Sequence, residues 1–310
     1  MKHLPRPVSA ALLLVTILFS TGCLFRSRTV ERRLSTAPLQ TATAQELIAK
    51  INAEAAKVHT MNATVDIAAS TGGVKKGKVT DYTEIRGYVL VRKPSMLRMI
   101  GLFPVVRNRA FDMVSDGQDF KLWLPTKNRF MVGKNEIEKP SPKPLENLRP
   151  QHIYDALLLR EIDPRTEVAV IEQGTKEVVD PNTKKPVDEP TYVINVIRRD
   201  GGDEWFLSRK VIFDRHDLLP HRQIVYDRAG NMATDATYSD FRTFNGMNFP
   251  AVISVSRPQE EYQVTLKIVK LDLNKPLKDD QFALNQPAGS QLVRVGQTPE
   301  QNKQTSEVRK

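Results

Sequence analysis

Between Arg109 and Val132 lie three extended segments, Arg109 to Ser115, Asp119 to Leu124 and Arg129 to Val132, separated by turns of only a few residues. This spacing is the tightest constraint in the sequence. A crossover between parallel strands needs a dozen or more residues, whereas a short turn returns the chain antiparallel beside itself. Asp116-Gly117 is suited to the first turn, because Gly accepts positive φ and Asp bonds nearby backbone. The same rhythm continues on both sides. Upstream, Ala63, Val65 and Ile67 alternate with Asn62, Thr64 and Asp66. A Gly- and Lys-rich loop over 72–78 then leads to a strand over Thr83 to Arg92, and Lys93-Pro94-Ser95 separates that strand from Met96 to Ile100. Downstream, extended runs are expected over Glu167 to Gln173, Thr191 to Arg198, Trp205 to Asp214, His221 to Asp227, Ala233 to Phe244, Phe249 to Arg257 and Glu261 to Leu271. Asp227-Arg228-Ala229-Gly230-Asn231 and Phe244-Asn245-Gly246-Met247 are turn sequences.

Two stretches have helical period instead. The run from Gln45, QELIAKINAEAAKVHTM, sets Leu47, Ile48, Ile51, Ala55 and Val58 at helical spacing, with Thr41 or Thr43 available as a cap. Asn147 to Leu158 does the same with Ile153, Leu157 and Leu158. Two helices are too few to form an outer layer over so many strands. A long antiparallel sheet must then curl around a shared apolar interior. The expected class is mainly β (α+β), a curled antiparallel half-barrel of about eleven strands with helices covering an apolar concavity. No composition break divides 45–286, which reads as one domain with a charged insert near 176–190, either an extended hairpin tip or disordered. Residues 287–310 are polar and read as a disordered tail.

The N-terminus has its own logic. Lys2 and Arg6 precede an apolar run from Val8 to Phe19, and Ser20-Thr21-Gly22-Cys23 follows at once. A basic end, a short apolar core and a small-residue exit describe an export signal, with a core shorter than the roughly 20 residues of a spanning helix. Cys23 is the only cysteine in 310 residues, so the chain has no intrachain disulfide. Residues 1–22 are expected to be a signal peptide and 23–44 a tether rich in Ser, Thr and Ala. Removing 1–22 takes Lys2 and Arg6 and lowers the formal charge from +10 to +8. The basic residues are dispersed rather than arranged in a stripe, and nucleic acid is not expected as a partner.

Sites for covalent chemistry are poor. His59, His152, His216 and His221 do not form a zinc spacing, and Gly72-Gly73 and Gly201-Gly202 lack the strand–glycine–helix context of a phosphate cradle. No serine elbow is present, and Asp112, Asp116 and Asp119 lack a calcium-loop pattern. An enzyme is not expected, nor a metal or cofactor. The apolar residues are more informative. Val89, Val91, Leu97, Met99, Phe111, Met113, Phe120, Leu122, Phe130 and Met131 are candidates for an apolar cavity wall, although strict alternation would send part of such a set to the convex side. Leu102 and Phe103, in the short turn Gly101-Leu102-Phe103-Pro104, are candidates for a membrane or partner contact.

Two resemblances carry the reading further. Thr21-Gly22-Cys23 resembles the bacterial lipoprotein signal, in which the cysteine receives palmitate-type acyl chains and becomes the first residue; Ser20 stands where that pattern prefers an aliphatic residue. Each buried methylene of such chains adds roughly 0.8 kcal/mol of membrane affinity. Leu24, where a retention aspartate would otherwise stand, favours the outer membrane. Second, Val89-Leu90-Val91-Arg92-Lys93-Pro94-Ser95-Met96-Leu97-Arg98, Phe111-Asp112-Met113-Val114-Ser115-Asp116-Gly117, Leu122-Trp123-Leu124-Pro125 and Arg129-Phe130-Met131-Val132-Gly133 are similar to the outer-membrane lipoprotein carrier and receptor superfamily (LolA/LolB-like). That resemblance implies a half-barrel that shelters acyl chains without covalent chemistry. The resulting expectation is an outer-membrane-anchored, periplasm-facing protein that binds or transfers lipids or lipoproteins, with a lipid or acyl-chain ligand. The alternative is a structural or interaction subunit of an envelope complex, with another envelope protein as partner and the same fold around a filled core.

Overall fold

The computed structural model describes residues 38–136, 147–180 and 183–295. The expected signal peptide, Cys23, Leu24 and most of the expected tether lie outside these residues. Helix α1 (Ala44–Lys57) precedes strands β1 (Thr60–Gly73), β2 (Lys78–Arg92), β3 (Met96–Leu102), β4 (Arg109–Ser115), β5 (Asp119–Leu124) and β6 (Arg129–Lys134). After α2 (Pro150–Leu157) come β7 (Glu167–Val179), β8 (Pro186–Arg199), β9 (Trp205–Asp214), β10 (Pro220–Tyr226), β11 (Met232–Phe244), β12 (Met247–Arg257), β13 (Tyr262–Leu273) and β14 (Gln291–Arg294). The chain divides into two compact units, one comprising Ala37–Lys176 with Glu189–Lys310, the other including Glu177–Asp188. In the smaller unit the charged insert is a hairpin turn. Asp180 N–H donates to the Lys185 carbonyl at 2.9 Å, and the Asp180 carboxylate accepts from Thr183 N at 3.2 Å.

All fourteen strands form one open sheet in the order β14-β6-β5-β4-β3-β2-β1-β13-β12-β11-β10-β9-β8-β7. Sequential neighbours pair antiparallel, and β1 joins the halves by pairing antiparallel with β13. The sheet curls. In the flat, β4 and β12 would stand about 24 Å apart, at about 4.8 Å per strand. Yet α2, about 12 Å long, packs against β3, β4 and β12. Its Ile153, Tyr154, Ala156 and Leu157 are buried in one core with Met61, Val65, Val91, Leu97, Met113, Ile253 and Leu266. Helix α1 covers the other half, where Leu47 and Ile51 meet Tyr192, Ile194, Val211 and Phe213.

Local chemistry sets the helix ends. Thr43 and Glu46 form a capping box: Glu46 N donates to Thr43 Oγ1 at 3.3 Å and Thr43 N donates to Glu46 Oε2 at 2.7 Å. At the exit of α1, the Asn274 amide donates to the Lys57 carbonyl at 2.7 Å and accepts from His59 N at 2.8 Å. Pro150 opens α2, where its missing N–H breaks no helical bond.

Three expectations are corrected. Among the described residues there are fourteen strands rather than about eleven. Of the expected tail 287–310, residues 296–310 lie outside the described residues, and in the remainder β14 pairs parallel with β6, Leu292 opposite Phe130; just ahead of it Asp279–Phe282 forms a 3-10 turn on the convex face. Apolar burial drives this, since Leu284 packs with Val114 and Phe130 in a satellite core. Arg92 fixes the same segment, with its guanidinium 5.0 Å above the Phe282 ring and 2.6 Å from Asp279. Finally, the end of the expected tether is already attached to the body, where Gln40 N donates to the Arg215 carbonyl at 2.7 Å.

Candidate functional site

The sequence-expected wall residues are tightly packed. Val89, Val91, Leu97, Met99, Met113, Phe120, Leu122 and Met131 are buried in the core beneath α2. Phe111 is half-buried beside them, its ring lying across Gly101 in the neighbouring strand. Phe130 does not belong to this set. Period two puts it opposite Met131, on the convex face with Val114 and Leu284. None of the wall candidates lines the cavity that the curled sheet leaves open.

That cavity, about 340 Å³, lies at the other side of α2. The last turn of α1 contributes Ala55 and Val58, the end of α2 contributes Leu157 and Leu158, and β11 contributes Tyr238 and Phe241. Leu219 and Pro220 close one flank, and Met247 and Phe249 the other, just beyond the two-residue Asn245-Gly246 turn. Both turn residues have positive φ, at 50° and 82°, which suits a tight hairpin. The lining is chiefly apolar. Its inner polar group is satisfied: Tyr238 Oη donates to the Ala156 carbonyl at 2.9 Å, and burial raises its phenol well above the ordinary range. At the rim, Lys57 Nζ bonds Glu54 at 2.6 Å, with Asn248 nearby. Behind Phe241, the His221 ring stands edge-on at 5.1 Å, and its Nε2 lies 2.8 Å from Asp217.

A wider depression of about 550 Å³ lies between Arg165, Thr166 and the 199–203 turn. Its chemistry is already used internally, since Arg165 bonds Asp163 at 3.0 Å and Arg199 bonds Asp203 at 2.7 Å. Among the described residues no group of three or more His, Cys, Asp or Glu side chains is placed to hold a metal. Asp116 turns the chain, accepting from Gln118 N and Asp119 N at 2.9 and 2.8 Å. Asp112, fully buried, is held by Arg98 and Arg109.

The turn expected as a membrane or partner contact exposes other residues than those named for it. Leu102 and Phe103 are half-buried, with Phe103 N bonded to the Asn108 carbonyl at 2.8 Å. The exposed apolar residues are their neighbours, Val105 at 98% and Val106 at 64%. Val105 has φ +67°, a strained conformation for a β-branched residue. The β1–β2 tip likewise exposes Val74 beside Lys75, Lys76 and Lys78. Strand register places these tips at the opposite end of the sheet from the cavity, which lies by the 245–246 turn. The residue pattern around that turn (Phe241, Phe244, Met247, Phe249) was the available signal for the cavity: bulky apolar side chains clustered at a hairpin end need cover. Among the described residues no helix is long and apolar enough to cross a membrane.

A family model described as "-like: Uncharacterized protein" matches residues 174–286. No curated protein matches the chain. Among solved structures, a LolA superfamily protein from Nitrosomonas europaea is similar, at 13% identity and TM-score 0.47, covering 79% of this chain and 99% of that one. A putative outer membrane lipoprotein-sorting protein domain from Vibrio parahaemolyticus is similar at 14% identity and TM-score 0.46, covering 77% of this chain and 95% of that one. The Pseudomonas aeruginosa MucA/MucB complex gives 14% identity and TM-score 0.23, over 83% of this chain and 67% of the matched chain.

Proposed function

We propose that the protein is a non-enzymatic binder of lipid acyl chains in the bacterial cell envelope, held at the outer membrane through lipidated Cys23 and facing the periplasm. The observation that carries the binding is the 340 Å³ apolar cavity between the helix ends and the curled sheet. It lies within the size range of small-molecule sites, and its inner polar group is already bonded, so affinity comes from methylene burial. The signal-like N-terminus supports the location. Lipids and lipoproteins both present acyl chains of this chemistry. The exposed Val105 and Val106 tip and the adjacent lysine-rich β1–β2 tip suit contact with an anionic lipid surface.

The packing of α2 favours a second reading. Its side chains fill most of the concavity, as expected of an interaction subunit of an envelope complex. A fluorescent fatty-acid probe titrated into purified, delipidated protein separates the two. Saturable binding near one probe per chain is expected for the binder, and its absence refutes it. The anchor is tested by labelled palmitate, whose incorporation is expected to vanish in Cys23→Ala; incorporation that survives this change refutes the anchor.

A further inference from the structure

The volume and closure of the cavity carry more than the presence of a site. An apolar cavity of about 150 Å³ accommodates benzene, with six carbon atoms. On that scale 340 Å³ holds roughly a dozen carbons. A lipid with two or three long chains carries several times that number. The inner wall also resists extension. Beyond Leu157 and Leu158 the interior is occupied by buried Met61, Leu97, Met99 and Met113. The Tyr238–Ala156 bond ties α2 to β11 at that boundary. At the mouth, Lys57, Glu54 and Asn248 are the polar groups beside which a ligand's polar end can remain in water.

Building on the acyl-chain reading, we propose that the ligand is a single-chain amphiphile, bound by about twelve carbons of one alkyl chain with its polar end at the Glu54–Lys57 rim. Chains of diacyl and triacyl lipids then enter one at a time or not at all. Selectivity follows from geometry. Each methylene that finds space strengthens binding, and each one beyond the wall must displace packed side chains or stay in water.

The test is a calorimetric series of unbranched carboxylates from eight to eighteen carbons, each below its micelle concentration, with a short-chain diacyl phosphatidylglycerol for comparison. Affinity is expected to rise about fourfold per methylene up to about twelve carbons and then level off, with the diacyl lipid binding at least tenfold more weakly than the twelve-carbon acid. Met247→Trp, at the half-buried mouth, is expected to move the break to shorter chains. A continuous rise to eighteen carbons, or equal binding of the diacyl lipid, overturns the single-chain proposal and leaves acyl binding intact. No saturable binding across the whole series, with the fatty-acid probe also failing, overturns acyl binding itself.

Discussion

Asp112 offers a quantitative check on how the first half of the sheet is held. Its carboxylate is fully buried between strands β3 and β4. Arg98 grips it through two bonds, Nε–Oδ1 at 3.0 Å and Nη2–Oδ2 at 2.8 Å, while Arg109 Nη1 reaches Oδ2 at 3.0 Å. The Arg98 side chain is only 14% exposed and Arg109 is 53% exposed, so the two partners are not equivalent. Asp112→Asn preserves shape and removes the charge. Removing one partner of a buried pair costs about 3–5 kcal/mol, because the other charge stays buried and uncompensated. Arg98 keeps its 2.9 Å bond to the Gln281 carbonyl, which places the cost at the lower end. The half-exposed Arg109 contact adds only about 0.2–1 kcal/mol.

The expected loss is therefore about 3 kcal/mol, read as a drop in the urea midpoint at constant m-value, or roughly 6–12 °C in Tm for a domain of this size. The double variant Arg98→Met/Asp112→Leu should recover more than half, since an apolar pair of similar volume avoids the desolvation cost. It will not recover everything, because the Gln281 carbonyl loses its donor at about 1 kcal/mol. A loss below about 1 kcal/mol for Asp112→Asn, or a double variant no more stable than the single, would refute the structural role assigned to this carboxylate.

Other outcomes follow from the same contacts. A Cβ on Gly101 would lie 2.4 Å from the Phe111 ring and 2.7 Å from Ile85, so Gly101→Ala should cost about 1–3 kcal/mol in urea melts, partly relieved by Phe111→Leu. Burial, together with Arg257 and Arg149, holds the His152 imidazole well below its ordinary 6.5. The unfolded chain then binds the extra proton, so stability should be full above pH 6.5 and fall as the pH drops toward the folded value; His152→Asn should flatten that fall in pH-resolved melts. Phe130→Ala should lower stability by about 3–5 kcal/mol without changing fatty-acid probe affinity, because the ring lies on the convex face. Val105→Asp should weaken sedimentation with anionic vesicles while leaving probe binding in solution unchanged.

Much of the architecture was legible because turn chemistry and period-two alternation are local. Asp116-Gly117 and Asn245-Gly246 turn the chain where expected, and Thr43 caps α1. What stayed hidden depends on distant segments. Alternation separates Phe130 from Met131 but does not say which face is enclosed. That is decided by Leu284 and β14, more than 150 residues downstream, in a stretch whose polar composition concealed four paired residues. The sequence points to a cavity wall where Met and Phe are densest. Those residues instead pack against α2, and the space remains where α2 ends.

The positions of cavity and tips constrain how the proposed membrane contact would work. Val74, Val105 and Val106 project from one end of the sheet, and the cavity opens at the other. Along β3 alone the two ends are about 20 Å apart. A tip touching lipid cannot pass a chain directly into the cavity. The body begins at Pro38, whose carbonyl is 3.3 Å from His216 in the same turn that supplies Leu219 to the cavity flank. An anchor at Cys23, about 15 residues upstream, reaches at most about 50 Å when extended. That reach is more than twice the length of β3, so an anchor proposed there leaves either end of the sheet free to face the membrane. The proposed chain uptake and the proposed tip contact are therefore separable on this fold, and a substitution at either end should leave the readout of the other unchanged.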